Sequence, residues 1–475
     1  MTSRLLAVEL NDAGIVLARA GASGQPELVG QESPGLALLH DGRVLVGAEA
    51  AARYRSTPLH AQSRFWVALG LEPLPWSARG IATVADLAHA HLASLVAPAM
   101  ARADVDGILI AVPPGYDREQ LGLLVGIANE CGAPVRGLVD LGLAACATVN
   151  PAPHMVHLDL QLHQAAATLL EVSRTEGVLR RSRYELLPGA GLLPLRQAMA
   201  AAVATAFVHE TRFDPLHQAA TEQRLHDLLP AWVQSLAASE QTEAAIELGS
   251  TTHRITLLRS QLEEAVEAIS NELLRLVQAA RPAGTPVQLC VTPRIVAVPG
   301  LLAKLAALRD CVVVHMPAGA AAAGALQFAA NIVRPADAIS LVHRLPLRGP
   351  AVAISTAAGG DSAPAVPAEA VPTHVLFRGR AWPITEEPLT LGWSVGAVTR
   401  ALSLPAGIAG VSRSHCALHS SDGQCYVVDH STYGTFVNDE RVGGRLALRV
   451  GDVLRLGAPG VTLELIRVLP EHGAA

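Results

Sequence analysis

The sequence predicts a mixed α/β region followed by a separate all-β module. Three observations favour this organisation. Strands and helices alternate through residue 345, a run of Ala, Pro, Ser and Gly fills 346–372, and short strands with tight turns follow from residue 373. We therefore expect a two-lobed α/β domain over 1–345, a flexible linker over 346–372 and a β-sandwich over 373–470.

The first 345 residues contain two predicted hairpins and two continuous apolar runs. The hairpins pair Leu5–Glu9 with 14–19, and 155–160 with 165–172. Residues 107–113 and 287–292 are apolar almost throughout, which is typical of strands buried on both faces. Further short strands are predicted at 135–139, 244–249 and 253–257. Two halves that each begin with a hairpin indicate a duplicated, two-lobed fold.

Helices are predicted where apolar residues recur at helical spacing. The predicted helices are 118–131, a short helix from Asp140, 196–232, 260–280 and 318–330. The apolar stretch that includes 318–330 is mostly Ala and Gly and is shorter than the roughly 20 residues that span a membrane. We expect it to be a helix packed tightly inside the protein.

The C-terminal strands are short and alternate in hydrophobicity. The predicted strands are 375–377 with 381–384, 416–419 with 425–428, and 461–468. Arg378-Gly379 and Asp422-Gly423 supply the turns, and a long insertion covers 394–410. Turns at this spacing predict an all-β sandwich.

Composition excludes several functional classes. The chain has 475 residues, half of them hydrophobic, and a formal charge of −6, which is too acidic for a general nucleic-acid coat. Lys304 is the single lysine and lies in a predicted helix, whereas a P-loop needs a lysine directly after its glycines. The sequence therefore excludes a P-loop and argues against a lysine Schiff-base enzyme.

Cysteine spacing and the N-terminus predict a cytoplasmic protein. The six cysteines form no C-x-x-C pair, which in a chain of this length indicates free thiols in a reducing compartment. Acidic residues at Glu9 and Asp12 come too early for the apolar core of a signal peptide. The eighteen histidines show no metal-ligand spacing, so we expect no bound metal and no membrane insertion.

Three segments of the first region point to a known superfamily. Residues 140–149 read DLGLAACATV, residues 317–329 read PAGAAAAGALQFA, and 221–280 contain an acidic strand pair followed by a helix. The first two are similar to the connecting helices of Hsp70 proteins, and the third resembles an Hsp70 segment of the same order. Residues 1–345 therefore resemble the actin/Hsp70-like ATPase superfamily, which implies two lobes around a nucleotide cleft.

The loops that hold nucleotide in that family differ here. The first phosphate loop, Asp-x-Gly-Thr in the family, reads Glu9-Leu-Asn11-Asp12, which puts a negative charge where phosphate would sit. The second, Asp-x-Gly-Gly-Gly-Thr in the family, keeps Asp159 but replaces the glycines with bulkier residues. Asp140 stands for the glutamate of the first connecting helix.

Two interpretations of this region stay open. In the first, the domain keeps the fold but is a pseudo-ATPase that binds no cofactor. In the second, Glu9, Asp12, Asp140 and Asp159 form a divergent site for Mg-ATP, and lobe closure regulates the C-terminal module.

Three motifs in order identify the C-terminal region. Ser412-Arg413-Ser414-His415 matches Ser-Arg-x-His, residues 429–438 match D-x-S-x-N-G-T-x-V-N, and residues 448–457 match L-x-x-G-D-x-I-x-x-G. Together they resemble a forkhead-associated (FHA) domain. The resemblance implies that loops at one end of the sandwich bind phosphothreonine.

The resemblance also implies roles for individual residues. Ser412 corresponds to the residue that bonds the phosphate, Arg413 adds charge beside it, and Thr432 borders the peptide. Gly392, His415 and Gly434 are expected to be architectural.

Two positions depart from the family pattern. Trp393 stands where the family has its phosphate-binding arginine, and Tyr433 stands where an asparagine holds the peptide backbone. Arg400, within the insertion, is a candidate for the missing charge.

These observations predict an intracellular bacterial adaptor that is not an enzyme. Its FHA module would bind a threonine-phosphorylated protein downstream of a Ser/Thr kinase, and the first domain would act as an assembly platform. Docking that does not depend on phosphorylation stays open, because the family arginine is missing. The rival hypothesis is the nucleotide-driven switch.

Overall fold

A computed structural model describes most of the chain. The described residues are 4–21, 25–101, 105–282, 284–347, 371–377, 380–395, 399–405, 408, 410–421, 423–438, 440–457 and 460–468. The predicted linker, 346–372, falls outside these residues except at its ends. The chain divides into two compact units, Met1–Leu274 with Val287–Ile354, and Arg275–Pro286 with Ser355–Ala475.

The elements before residue 348 alternate between strands and helices. The strands are β1 (Leu5–Glu9), β2 (Ile15–Ala20), β3 (Pro26–Ser33), β4 (Ala37–His40), β5 (Arg43–Val46), β6 (Ala61–Gln62), β7 (Pro73–Ala78), β8 (Ile81–Thr83), β9 (Gly107–Val112), β10 (Val135–Asp140), β11 (His154–Leu160), β12 (Gln164–Ser173), β13 (Val178–Pro188), β14 (Gln241–Leu248), β15 (Thr251–Leu258), β16 (Val287–Val291), β17 (Cys311–His315), β18 (Leu341–Val342) and β19 (Arg344–Pro346). The helices are α1 (Gly47–Ala51), α2 (Val84–Ala101), α3 (Arg118–Glu130), α4 (Leu141–Cys146), α5 (Leu192–Thr211), α6 (Ala219–Ala238), α7 (Arg259–Ala265), α8 (Glu267–Ala280), α9 (Pro293–Val296), α10 (Leu301–Ala306), α11 (Ala320–Gln327) and α12 (Ala329–Ile332). Two 3-10 turns cover Pro58–His60 and Ala336–Ala338.

Two six-stranded sheets repeat one topology. In the first, with order β18-β10-β9-β1-β2-β3, β1 and β2 form a hairpin and β9 and β10 continue the sheet in parallel. In the second, with order β17-β16-β11-β12-β13-β19, β11 and β12 form the hairpin and β16 and β17 continue in parallel. Both predicted hairpins are confirmed. The repeated order shows that the α/β region contains two halves of the same design.

A close helix crossing lies between the two halves. A Cβ atom on Gly324 of α11 would stand 1.9 Å from the carbonyl oxygen of Ala144 in α4, so only glycine permits this approach. The neighbouring residues Ala321, Ala322 and Ala325 are buried. The expected tight packing of this Ala- and Gly-rich helix is therefore confirmed.

The predicted helical region over 196–232 contains two helices. Arg212 has a left-handed backbone with φ of 62°, which ends α5, and α6 begins only at Ala219. The predicted helix over 260–280 likewise divides into α7 and α8 at Val266. The strands of this region that were not predicted are β3 to β8, β13, β17, β18 and β19.

Two helices meet the length and hydropathy of a membrane span. They are α2 and α5, and 39% of the span-length window in each is buried inside the protein. Leu87, Leu92 and Val96 of α2 pack into the core beside the first sheet. Core helices of soluble proteins pass the same test, so this finding is weak evidence for a membrane span.

The cysteines are free thiols, as their spacing predicts. Four of them are buried, including Cys416 and Cys425 of the C-terminal module. Burial raises the pKa of Cys425 to about 12, which disfavours a reactive thiolate. Among the described residues, no group of three or more His, Cys, Asp or Glu could hold a metal ion.

The C-terminal region contains two packed β-sheets. The strands are β20 (His374–Phe377), β21 (Arg380–Pro383), β22 (Leu389–Gly392), β23 (Ala401–Ser403), β24 (Cys416–Ser421), β25 (Gln424–Asp429), β26 (Thr435–Val437), β27 (Glu440–Arg441), β28 (Arg445–Leu448), β29 (Val453–Leu456) and β30 (Val461–Ile466). The sheet orders are β21-β20-β30-β29-β26-β27 and β23-β22-β24-β25-β28. Val375, Leu391, Val427 and Leu465 meet in the core between them. The predicted all-β module is confirmed, and the insertion contributes β23.

Candidate functional site

A buried histidine joins two loops of the C-terminal module. His415 Nδ1 accepts a hydrogen bond of 3.0 Å from the backbone N–H of Ser412. Because Nδ1 accepts, the ring proton lies on Nε2, which is 3.0 Å from the carbonyl oxygen of Gly434. Burial lowers the pKa of His415 and favours this neutral form. One side chain therefore fixes the spacing of the Ser412 loop and the Gly434 loop.

The hydroxyl of Ser412 lies between these two loops. Its Oγ accepts a hydrogen bond of 3.2 Å from the backbone N–H of Thr432. This bond uses an oxygen lone pair, so the hydroxyl proton remains available to an acceptor outside the protein. Ser412 is half-buried and Thr432 is exposed. The pair can therefore present a hydroxyl donor to a phosphate oxygen at the surface.

Short hydrogen bonds hold the loop that carries Thr432. Asp429 Oδ1 accepts from the backbone of Ser431 at 3.0 Å and from the hydroxyl of Thr435 at 2.7 Å. Ser431 Oγ accepts from the backbone N–H of Gly434 at 2.7 Å, and Gly434 has a left-handed φ of 85°. Asp429 and Ser431 were not predicted as site residues, although both occupy fixed positions of the motif over 429–438.

Gly392 allows the Ser412 loop to cross the end of β22. A Cβ atom on Gly392 would stand 1.9 Å from the carbonyl oxygen of Arg413. The next residue, Trp393, donates its backbone N–H to the carbonyl oxygen of Ser412 at 3.4 Å. The Arg413 guanidinium carbon lies 5.6 Å from the centre of the Trp393 ring, within the range of a cation–π contact. An exposed aromatic residue and an exposed cation thus stand beside Ser412.

Arg400 does not join this group. Its guanidinium donates to the carbonyl oxygen of Glu387 at 2.8 Å and also to Thr385 and Pro383. Arg400 directly precedes β23, whose first residue pairs with Thr390 near the start of β22, whereas Trp393 follows its end. The proposal that Arg400 replaces the missing arginine is therefore corrected, because its side chain binds elsewhere.

Comparison with known families agrees with this geometry. Residues 399–457 match the family model of the FHA domain. No curated protein matches the sequence. FHA domains are protein-interaction modules that bind phosphopeptides, so the C-terminal region is a module of that class. The matched range contains Ser412 and Thr432 and begins after Trp393.

In the α/β unit, the two candidate phosphate loops bind each other. Asp12 Oδ1 accepts a hydrogen bond of 2.7 Å from the backbone N–H of Leu162. Asn11 Nδ2 donates to Asp159 Oδ2 at 2.6 Å and to the carbonyl oxygen of Leu160 at 3.0 Å. The Asp12 carboxylate therefore accepts from a backbone N–H of the second loop. In a nucleotide site that N–H group would donate to a phosphate oxygen.

Arg294 adds a positive charge to the region between these two loops, which we call the cleft. Its guanidinium lies 3.4 Å from Asp159 Oδ1 and donates to the carbonyl oxygen of Gly14 at 2.8 Å. Its Nε also donates to Glu32 at 3.0 Å. Arg294 was not predicted as a site residue. Its signal was a cation three residues after the end of the buried strand β16, in a region where β1 and β11 end near Glu9 and Asp159. The cleft acids are thus neutralised from within the chain.

Glu9 and Asp140 have structural partners of their own. Glu9 Oε2 accepts backbone hydrogen bonds from Ala321 at 2.9 Å and Ala322 at 3.3 Å at the start of α11. Asp140 caps α4 through Leu143 and pairs with Arg181 at 2.7 Å. The structure brings Glu9, Asp12 and Asp159 into one buried region, but Asp140 binds outside it. The expected four-acid set is corrected accordingly.

Little space remains in this cleft. The cavity lined by Glu9, His157, Thr292 and Arg294 has a volume of about 40 Å³. Small-molecule sites usually measure about 300–1,000 Å³. Thr292 also donates its hydroxyl to Asp159 at 2.7 Å, whereas Nε2 of His157 has no hydrogen-bond partner among the described residues. In this conformation the cleft has no room for a mononucleotide.

Proposed function

We propose that the protein is an adaptor whose FHA module docks a threonine-phosphorylated partner. The observation that carries the proposal is the position of Ser412, whose hydroxyl lies between two loops fixed by His415. Arg413 supplies an exposed cation one residue further on. A hydroxyl donor beside a cation is the combination that a phosphate dianion requires.

The α/β unit acts in this proposal as a scaffold that binds no nucleotide. Its duplicated sheets and close helix crossing support membership of the actin/Hsp70-like class. The bonds from Asp12 to Leu162 and from Asn11 to Asp159 support a cleft held closed by its own side chains. We place this adaptor in a bacterial cytoplasm, downstream of a Ser/Thr kinase.

Fluorescence anisotropy with a phosphothreonine peptide library tests the docking role. We expect the full-length protein to bind a subset of these peptides and to bind the unphosphorylated peptides at least tenfold more weakly. Ser412→Ala removes a charge-assisted hydrogen bond of about 1.5–3 kcal/mol, so its affinity should fall about tenfold or more. The matched control is Ser394→Ala, an exposed serine whose side chain has no assigned role.

Two results would contradict the proposal. Equal affinity of Ser412→Ala and the parent for the phosphopeptides would show that the phosphate binds elsewhere. Equal affinity of the parent for phosphorylated and unphosphorylated peptides would favour docking that does not depend on phosphorylation.

A further inference from the structure

Two exposed aromatic side chains border the candidate phosphate site. Trp393 is 38% exposed and Tyr433 is 59% exposed, which places both among the most exposed large apolar side chains of this module. They stand where the FHA family has polar residues that grip phosphate and peptide backbone. Large aromatic rings in water are costly unless they are covered in a complex, and they are enriched where proteins bind.

Both aromatic residues are linked to Ser412 through backbone hydrogen bonds. Trp393 is joined to the Ser412 backbone at 3.4 Å, and the residue before Tyr433 is joined to the Ser412 side chain at 3.2 Å. Each ring therefore belongs to a residue within one position of a direct hydrogen bond to Ser412. A ligand phosphate on Ser412 would therefore be close in the chain contacts to both aromatic residues.

The side chain of Arg413 contacts one of these two rings. Its guanidinium carbon lies 5.6 Å from the Trp393 ring centre, so the cation is held over the ring. Trp393 therefore positions a positive charge and offers the rest of its surface to a ligand. The lost family arginine is thus replaced by a cation from the neighbouring loop together with an apolar surface.

From this geometry we propose that the module selects phosphothreonine peptides with a large apolar or aromatic side chain, or a proline, within two residues of the phosphothreonine. Each residue of an extended peptide advances about 3.3 Å, so only such near positions reach rings that border Ser412. Aromatic stacking then replaces the backbone grip of the family asparagine. This inference rests on the proposed phosphopeptide function and adds the chemistry of the partner sequence.

The test uses synthetic peptides with one phosphothreonine. One set carries Trp, Phe, Leu or Pro at positions −2, −1, +1 or +2, and a matched set carries Gly or Ser there. With the full-length protein, we expect at least one apolar position to raise affinity about tenfold in fluorescence anisotropy. Trp393→Ala and Tyr433→Ala should remove this gain. Tyr184→Ala, which truncates an exposed tyrosine of the α/β unit, is the matched control and should keep it.

The variants Trp393→Arg and Tyr433→Asn restore the family residues and sharpen the test. Both should reduce the apolar preference, and Trp393→Arg should increase the ratio of affinities for phosphorylated and unphosphorylated peptides. Far-ultraviolet circular dichroism confirms that each variant is folded.

The outcomes separate this inference from the proposed function. Phosphate-dependent binding without an apolar preference would overturn the inference and leave the proposed function intact. An apolar preference without phosphate dependence would support the aromatic surface and overturn the phosphate role. Failure to bind any peptide of either set would overturn both.

Discussion

The carboxyl group of Glu9 lies in a buried environment that favours its protonated form. It is buried and accepts two backbone hydrogen bonds from the start of α11. Burial is the largest cause that raises its pKa, to about 7, and Asp12 is raised by burial to about 6. An acid that holds its proton near neutrality is suited to a packed interior and poorly suited to hold magnesium-bound water.

Because its pKa is raised in the folded state, the contribution of Glu9 to stability falls as the pH rises. Burial lowers the pKa of His91 to about 4, so that histidine contributes in the opposite sense below about pH 6.5, and the effect of Glu9 is measured as a difference between variants. In the unfolded chain Glu9 ionises near its ordinary value of 4.5, whereas the folded group keeps its proton until about pH 7. Between these values the folded state binds more protons, so each pH unit lowers the free energy of unfolding by up to about 1.4 kcal/mol. Urea unfolding at pH 5, 6, 7 and 8, followed by circular dichroism, measures this slope.

Substitution identifies the group responsible. Glu9→Gln removes this titration, so the free energy of unfolding of the parent minus that of Glu9→Gln should fall as the pH rises from 4.5 to 7. Glu49→Gln, on the exposed side of α1, is the matched control and should keep the slope of the parent. A parent slope that Glu9→Gln leaves unchanged would show that another group causes it.

Among the secondary-structure elements, burial decided what could be predicted. β9 and β16 are buried throughout and appear in the sequence as continuous apolar runs, so both were predicted almost to the residue. β3 and β17 have several exposed or half-buried residues. The sequence of β3 resembles a loop, whereas β17 was missed although it contains three consecutive valines. β17 lies at the edge of its sheet and β3 also ends one, so each is covered by one neighbouring strand only.

Some residues of the candidate sites could be predicted from the sequence and others could not. Ser412, Thr432 and His415 follow from motifs with fixed spacing, because one loop places all the residues of a motif together. The hydrogen bond from Asn11 to Asp159 joins residues 148 positions apart. The hydrogen bond from the Arg400 guanidinium to the carbonyl oxygen of Glu387 is likewise described by no motif. Such long-range partners depend on the assembled fold, and local sequence does not contain them.

The crossing of α4 and α11 gives a test at the level of elements. Gly324→Ala would place a methyl group 1.9 Å from the Ala144 carbonyl oxygen, so the helices must separate. We expect a loss of about 1–3 kcal/mol in the free energy of unfolding, measured by urea denaturation. Gly122→Ala in α3 is the matched control, because its added Cβ meets nothing within 4 Å and should stabilise the helix by up to about 1 kcal/mol. Equal effects of the two variants would contradict the close crossing.

In the whole molecule, the two units offer different chemistry to partners. The FHA loops expose a hydroxyl, a cation and two aromatic rings, which can all form new contacts. In the cleft of the α/β unit several polar groups bind one another, as the bond from Asp12 to Leu162 illustrates. Under the proposed function, recognition would belong to the C-terminal module.

Because several polar groups of the cleft bind one another, we predict that nucleotide does not change the stability of the protein. A ligand that binds only the folded state increases the free energy of unfolding, by about 2.7 kcal/mol at a ligand concentration of one hundred times its dissociation constant. The melting temperature therefore rises with the ligand concentration. We expect Mg-ATP up to millimolar concentration to leave the melting temperature unchanged in differential scanning fluorimetry. Asp12→Gly should lower that temperature without nucleotide, because it removes the bond to Leu162, and so proves that the assay senses the cleft. A saturable rise with Mg-ATP in the parent would contradict the closed cleft, whereas a rise in Asp12→Gly alone would show that the Asp12 carboxylate occupies the place of a phosphate.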